Sequence, residues 1–246
     1  MSPFIQNLLK DQITEKDYAH YHTIHQTIGW LGMTLPFVLW GGSVWFSGCD
    51  SVQSSVGHYY FNNMREAFVG VLWVFALFLY TYKGYSKLDN ILTNVAGLCS
   101  LCISIFPTTI SGASPCQFSV ATVFDYSNHT TVHFISAASF FAILSVVSFF
   151  IFTRSKYDAP QQRTLQKRIR NRVYRTCGVV IIICLLILLV QFLSRDGDQS
   201  GIAVYVLETI MLLAFGFSWI TKGEAIWLLR DRDQASDQPL TVSQTS

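Results

Sequence analysis

The chain has 246 residues, of which 51% are hydrophobic and only 13% are charged. A soluble domain has about 25% charged residues, so this composition argues against a soluble globular protein. The formal net charge of +2 and the absence of any nucleic-acid-binding motif in the sequence argue against a nucleic-acid partner. The expected partners are membrane lipids.

Six apolar blocks follow one another along the chain. Each has about 17 to 21 residues, and an α-helix of about 20 residues crosses a hydrocarbon core of about 30 Å. Alternating polarity typical of barrel strands is missing, and backbone amides inside a bilayer must be satisfied within the helix. We therefore predict an all-α, polytopic integral membrane protein with a six-transmembrane-helix bundle. The predicted spans are about 28–47, 65–82, 91–107, 133–152, 175–193 and 201–221.

The basic residues are distributed unevenly between the two sides of these spans. In the six-span arrangement, 15 of the 17 Lys and Arg residues fall on one side, and only Arg65 and Arg195 fall on the other. Because basic loops remain in the cytoplasm, both termini are expected there. The expected domains are a cytoplasmic N-terminal segment 1–27 containing an interfacial helix, a membrane domain 28–224, and a cytoplasmic tail 225–246 with a disordered end.

Ionisable residues inside or next to a span are candidate functional residues, because a charge is costly in lipid. Glu208 lies about 10 Å from the outer end of the last predicted span. Arg65 and Glu66 begin the second span on the same side, and His133 begins the fourth. If the segment before the second span is helical, His58 shares a face with Arg65. We therefore predict a ligand-binding site in the outer third of the bundle, formed by Arg65, Glu66, His133, Glu208 and His58.

Several chemical interpretations of this group remain open. The main prediction is a polar cavity in the outer leaflet that binds a lipid headgroup or small amphiphile, in which Arg65 acts together with Glu208. The first alternative is a metal-dependent membrane lipid hydrolase, since His129 and His133 are spaced four apart and can share a Zn²⁺ ion. The second alternative is a proton-coupled small-molecule transporter that uses Glu208. In a purely structural interpretation, Arg65 pairs with a carboxylate. No residue pattern establishes a catalytic group.

The six cysteines differ in their predicted positions. Cys49 and Cys116 fall in loops on the outer side and can form a disulfide if that side is oxidising. Cys99 and Cys102 fall within the third span, where a thiol behaves as a small apolar group. The sequence therefore does not decide whether Cys49 and Cys116 form a disulfide.

Five stretches of the sequence resemble a known type of membrane protein. They are SVGHYYFNNMREAFVGVLW at 55–73, YKGYSKLDN at 82–90, Phe106 with Pro107, HFISAASFF at 133–141 and FGFSWITKGE at 215–224. Together they resemble a group of uncharacterised bacterial six-helix inner-membrane proteins and, more distantly, the FRAG and DRAM-type six-helix membrane proteins. The resemblance implies the six-helix fold and a multi-pass location in the bacterial inner membrane. It implies no activity.

Overall fold

The computed structural model describes residues 3–82, 84, 86–109, 116–117, 128–154, 165–194 and 202–226, with side chains from residue 22 onward. Within these ranges all regular structure is helical. The long helices are α1 (Pro3–Ser47), α2 (Arg65–Thr81), α3 (Lys87–Ile105), α4 (His129–Val146), α5 (Leu165–Ser194) and α6 (Ile202–Lys222). A short 3-10 helix, Val56–Phe61, precedes α2, and a π-helical turn, Val147–Ile151, continues α4.

Five helices of the described chain are long and apolar enough to cross a membrane. They are the part of α1 from His22 to Ser47, then α3, α4 with its π-helical turn, α5 and α6. The all-helical membrane bundle predicted from the sequence is therefore supported. Helix α2 has 17 residues, which corresponds to a length of about 25 Å. It coincides with the second apolar block, but its crossing of the membrane remains a prediction.

Helix boundaries differ from the predicted spans mainly at the polar ends. Helix α1 includes most of the N-terminal segment that the sequence separated from the first span, and it continues through Pro36. Helix α5 begins at Leu165, so four basic residues before the fifth block belong to the same helix, namely Lys167, Arg168, Arg170 and Arg172. The apolar stretch of the sequence ends at the first charged residues, whereas the backbone hydrogen bonds of the helix continue into the charged segment. The tail beyond residue 226 lies outside the described residues.

Helices α1 and α6 pack with their backbones almost in contact. A Cβ atom on Gly216 of α6 would lie 2.4 Å from the carbonyl oxygen of Gly29 and 2.4 Å from Cγ of Met33. A Cβ on Gly29 would in turn meet the backbone oxygen of Gly216 at 2.7 Å. Small residues at a helix interface permit such an approach in membrane proteins. The glycines of α1 and α6 therefore set the distance between these two helices.

Aromatic side chains close one end of the bundle. The Trp219 ring is fully buried and stacks on His25 of α1, with the ring centroids 5.0 Å apart. Tyr82, just after α2, and Phe152, just after the π-helical turn, contact the same indole with centroid distances of 5.8 and 5.3 Å. Ion pairs between Arg154 and buried Asp89 and between Arg170 and Glu224 lie at this end. We call it the basic end.

The other end of the bundle contains a disulfide between Cys49 and Cys116, whose Cα atoms are 6.0 Å apart. Beside it, Nε2 of Gln117 donates a hydrogen bond to Oε1 of Gln53 at 2.8 Å. The disulfide left open by the sequence is therefore formed. We call this end the disulfide end. Since successive helices meet alternately at the basic end and the disulfide end, they run antiparallel to one another.

Candidate functional site

A buried segment between α1 and α2 forms the floor of the candidate site. Ser55 caps the 3-10 helix, and its hydroxyl oxygen accepts a hydrogen bond from the Gly57 amide at 3.0 Å. All six residues of this helix are buried. The Tyr205 amide in the first turn of α6 donates to the Ser54 carbonyl oxygen at 3.0 Å, which satisfies an amide that a helix start leaves without a partner. The segment is thus held within the disulfide end.

Glu208 of α6 is hydrogen-bonded directly to this segment. Its carboxylate accepts the Val56 amide at 2.6 Å, and the Ser55 hydroxyl lies 2.9 and 3.1 Å from the two carboxylate oxygens. Both carboxylate oxygens of Glu208 therefore have a hydrogen-bond donor. Glu208 is only half-buried, because the rest of the side chain faces a cavity.

His133 of α4 lies against the same segment. Its Nδ1 is 2.8 Å from the Phe106 carbonyl oxygen at the end of α3. A carbonyl oxygen can only accept, so Nδ1 carries the proton, and in the neutral ring Nε2 is an acceptor. A Cβ on Gly57 would lie 3.2 Å from this Nε2 and 3.5 Å from the Ser55 hydroxyl oxygen. Ser55 and His133 therefore both lie close to Gly57.

A cavity of about 370 Å³ opens beside these polar groups, between α4, α5 and α6. Ser55, Thr131, His133 and Glu208 provide its polar lining, and ten apolar side chains provide the rest. Its volume lies near the lower limit for small-molecule sites, which span about 300 to 1,000 Å³. We call it the α4–α5 cavity.

The α4–α5 cavity opens toward the surface that faces lipid. Ile135 on α4 and Leu189 on α5 line it and are 63% and 52% exposed. On the inner side it adjoins a second space of about 50 Å³, which is also lined by His133 and Glu208 and reaches Phe75 and Leu212. The site therefore combines an apolar lateral opening with a polar inner end.

The structure places the other predicted site residues away from this cavity. The Arg65 guanidinium donates to the Tyr60 hydroxyl at 2.6 Å and lies 4.4 Å from the centre of that ring. Glu66 is exposed at the start of α2. His58 is buried, and its Nδ1 lies 2.7 Å from the Ser54 hydroxyl. Arg65 and Glu208, expected to act together, thus have different partners.

His58 lies outside the spans, in the 3-10 helix between α1 and α2. Burial lowers the pKa of His58 from its ordinary value of 6.5, and a hydrogen bond to the Thr109 backbone partly opposes that effect. The imidazole is therefore held in its neutral form.

The predicted metal pair, His129 and His133, lies within the first two turns of α4. Among the described residues, no group of three or more His, Cys, Asp or Glu side chains is arranged to hold a metal ion. Zinc binding by His129 and His133 therefore remains a prediction from their spacing.

Two residues of the site, Ser55 and Gly57, are not among those predicted from the sequence. Ser55 precedes a buried aromatic segment and has the residue type of a helix cap. That signal was present, but Glu208 lies 153 positions away in the chain and a local pattern cannot show that they meet. Ala137 and Ala138, which belong to the stretch HFISAASFF at 133–141, also line the cavity.

Comparison with models of protein families, with curated proteins and with solved structures finds no match for this chain. The resemblance to FRAG and DRAM-type proteins therefore remains a prediction.

Proposed function

We propose that the protein binds a membrane amphiphile in the α4–α5 cavity. The single observation that supports this function is the composition of the cavity, which combines an apolar opening toward lipid with a polar inner end at Ser55, His133 and Glu208. An amphiphile has the same two-part character. Its chain would lie between α4 and α5, and its headgroup would contact the buried segment.

The polar end has to supply most of the selectivity in such a site. A ligand that arrives from the bilayer already has its chain in an apolar environment, and lipid tails are as apolar as leucine side chains. Transfer of the chain into the cavity therefore changes the free energy little. Hydrogen bonds and charge at the headgroup decide which amphiphile binds.

We further propose that α2 crosses the membrane in addition to the five helices named above, which gives six spans. We place the protein in the bacterial inner membrane with both termini in the cytoplasm. The antiparallel order of the helices supports this proposal, as does the position of the disulfide at the end opposite to most basic residues. Disulfides form in oxidising compartments, and basic residues remain on the cytoplasmic side.

The binding proposal can be tested by filling the cavity. Ala138 is exposed on α4 and lines the cavity, whereas Ala203 is exposed on α6 and does not. We expect native mass spectrometry of the purified protein to show a bound amphiphile in the wild type and in Ala203→Trp, and to show its loss in Ala138→Trp. Equal retention of the same ligand in both variants would contradict the proposal.

A further inference from the structure

The polar groups at the inner end of the α4–α5 cavity are mainly hydrogen-bond acceptors. When ionised, the Glu208 carboxylate can only accept hydrogen bonds, and the one ring proton of neutral His133 is directed to the Phe106 carbonyl oxygen. The Ser55 hydroxyl proton is directed to Glu208. A headgroup that fits this end must therefore bring hydrogen-bond donors.

Charge balance points to the same kind of headgroup. An ionised carboxylate in an apolar environment is costly, so it either pairs with a positive charge or takes up a proton. Ser55 and Val56 donate hydrogen bonds to Glu208 but bring no charge. Among the described Lys and Arg side chains, none lines the cavity. A ligand with a positively charged headgroup would supply this charge and keep Glu208 ionised.

We infer that the ligand is a single-chain amphiphile with a protonated primary amine as its headgroup, an inference that rests on the proposed function. The ammonium group has three donors and a charge of the required sign. A quaternary ammonium lacks the donors, and a carboxylate or phosphate headgroup would place a second negative charge beside Glu208. The cavity volume of about 370 Å³ suits one chain better than two.

Headgroups can be compared while the chain is kept constant. The probes are dodecylamine, dodecyltrimethylammonium and dodecanoate, each added to phosphatidylcholine nanodiscs that contain the full-length protein. The readout is the mole fraction of probe that half-saturates the rise in apparent unfolding temperature. We expect dodecylamine to half-saturate at a mole fraction at least about tenfold below that of the other two, since a charge-assisted hydrogen bond has about that effect on affinity.

The Glu208→Gln variant tests the residue assigned to the amine. The glutamine keeps the shape of the side chain and an oxygen that accepts the Val56 amide, but it removes the charge. We expect the preference for dodecylamine to fall by about tenfold in this variant. A preference unchanged in a folded Glu208→Gln protein would overturn the inference.

Other outcomes separate this inference from the proposed function. If dodecanoate or dodecyltrimethylammonium binds as tightly as dodecylamine, and Ala138→Trp abolishes that binding, the cavity binds amphiphiles but not through an amine. If no probe stabilises the wild type more than Ala138→Trp, the binding function itself fails. Phosphatidylethanolamine, a two-chain lipid with a phosphate beside its amine, is expected not to compete, and competition by it would overturn the single-chain assignment.

Discussion

At the residue scale, Gly57 determines whether the polar groups of the site can meet. The His133 ring occupies the space that a side chain at position 57 would need. Any Cβ at position 57 would lie 3.2 Å from Nε2, so the imidazole would have to shift by a few tenths of an ångström. The spacing of residues in the chain cannot reveal such a requirement, since His133 is far from Gly57 in sequence.

We expect Gly57→Ala to displace His133 and to weaken amphiphile binding. The extra methyl group has to move the imidazole by a few tenths of an ångström, and overpacking of this kind costs about 1–3 kcal/mol. Binding of dodecylamine and thermal unfolding in detergent both measure the effect. Gly70→Ala in α2 is the matched control, because a Cβ there meets nothing within 4 Å and alanine favours a helix by about 1 kcal/mol. Equal behaviour of the two variants would contradict the role of Gly57.

The buried His58 predicts a dependence of stability on pH. Its pKa in the folded protein lies below 6.5, so the unfolded chain binds more protons below that pH. The stabilisation is therefore complete above pH 6.5 and is lost as the pH falls toward the folded pKa, by up to about 1.4 kcal/mol per pH unit. We expect the unfolding temperature of the wild type to fall more between pH 7 and pH 5.5 than that of His58→Gln. Parallel curves for the two proteins would refute this role.

At the element scale, the contact between α1 and α6 depends on the absence of side chains. Hydrophobic burial contributes little to helix association in lipid, so close packing and interhelical hydrogen bonds have a larger share. The Tyr205 hydroxyl on α6 donates to the Pro36 carbonyl oxygen on α1 at 2.7 Å, and Gln26 donates to the Gly223 carbonyl oxygen at 2.6 Å. These bonds need the short interaxial distance that Gly29 and Gly216 provide.

We expect Gly216→Ala to separate α1 from α6 and to destabilise the protein. The new methyl group would meet the Gly29 carbonyl oxygen at 2.4 Å, and backbone atoms cannot move aside as a side chain can. The expected loss is about 3 kcal/mol, the upper part of the range for overpacked cores. The control is Gly41→Ala in α1, where a Cβ has open space around it. Chemical unfolding in detergent measures the difference, and an unchanged midpoint for Gly216→Ala would contradict the packing argument.

At the scale of the whole molecule, hydropathy predicts the helices better than the site. The apolar blocks are local features, and each of the long helices coincides with one of them. The site depends on contacts between distant segments, such as Glu208 with Val56 and His133 with Phe106. The sequence grouped His133 with Glu208, and both line the α4–α5 cavity because each lies near the N-terminal end of its helix. The sequence could not show that the Arg65 side chain donates its hydrogen bond to Tyr60 and not to Glu208.

The number of membrane spans depends on whether α2 crosses the membrane. With six spans, Asn63 before α2 and Lys87 at the start of α3 lie on opposite sides of the membrane. If α2 does not cross, both lie on the same side. The two positions therefore test this one helix, whatever the arrangement of the others.

A cysteine at each of these two positions can be tested with a maleimide that does not cross membranes. We expect Asn63→Cys to be labelled in intact cells and Lys87→Cys to be labelled only after permeabilisation. The unchanged chain measures the background from its free cysteines, which lie in α3 and α5, while Cys49 and Cys116 are protected as a disulfide. If both positions or neither are labelled in intact cells, α2 does not cross the membrane. If only Lys87→Cys is labelled, the protein has the opposite orientation to the one proposed. In the six-span result, the α4–α5 cavity opens to the outer leaflet, because its polar end lies on the same side as Asn63.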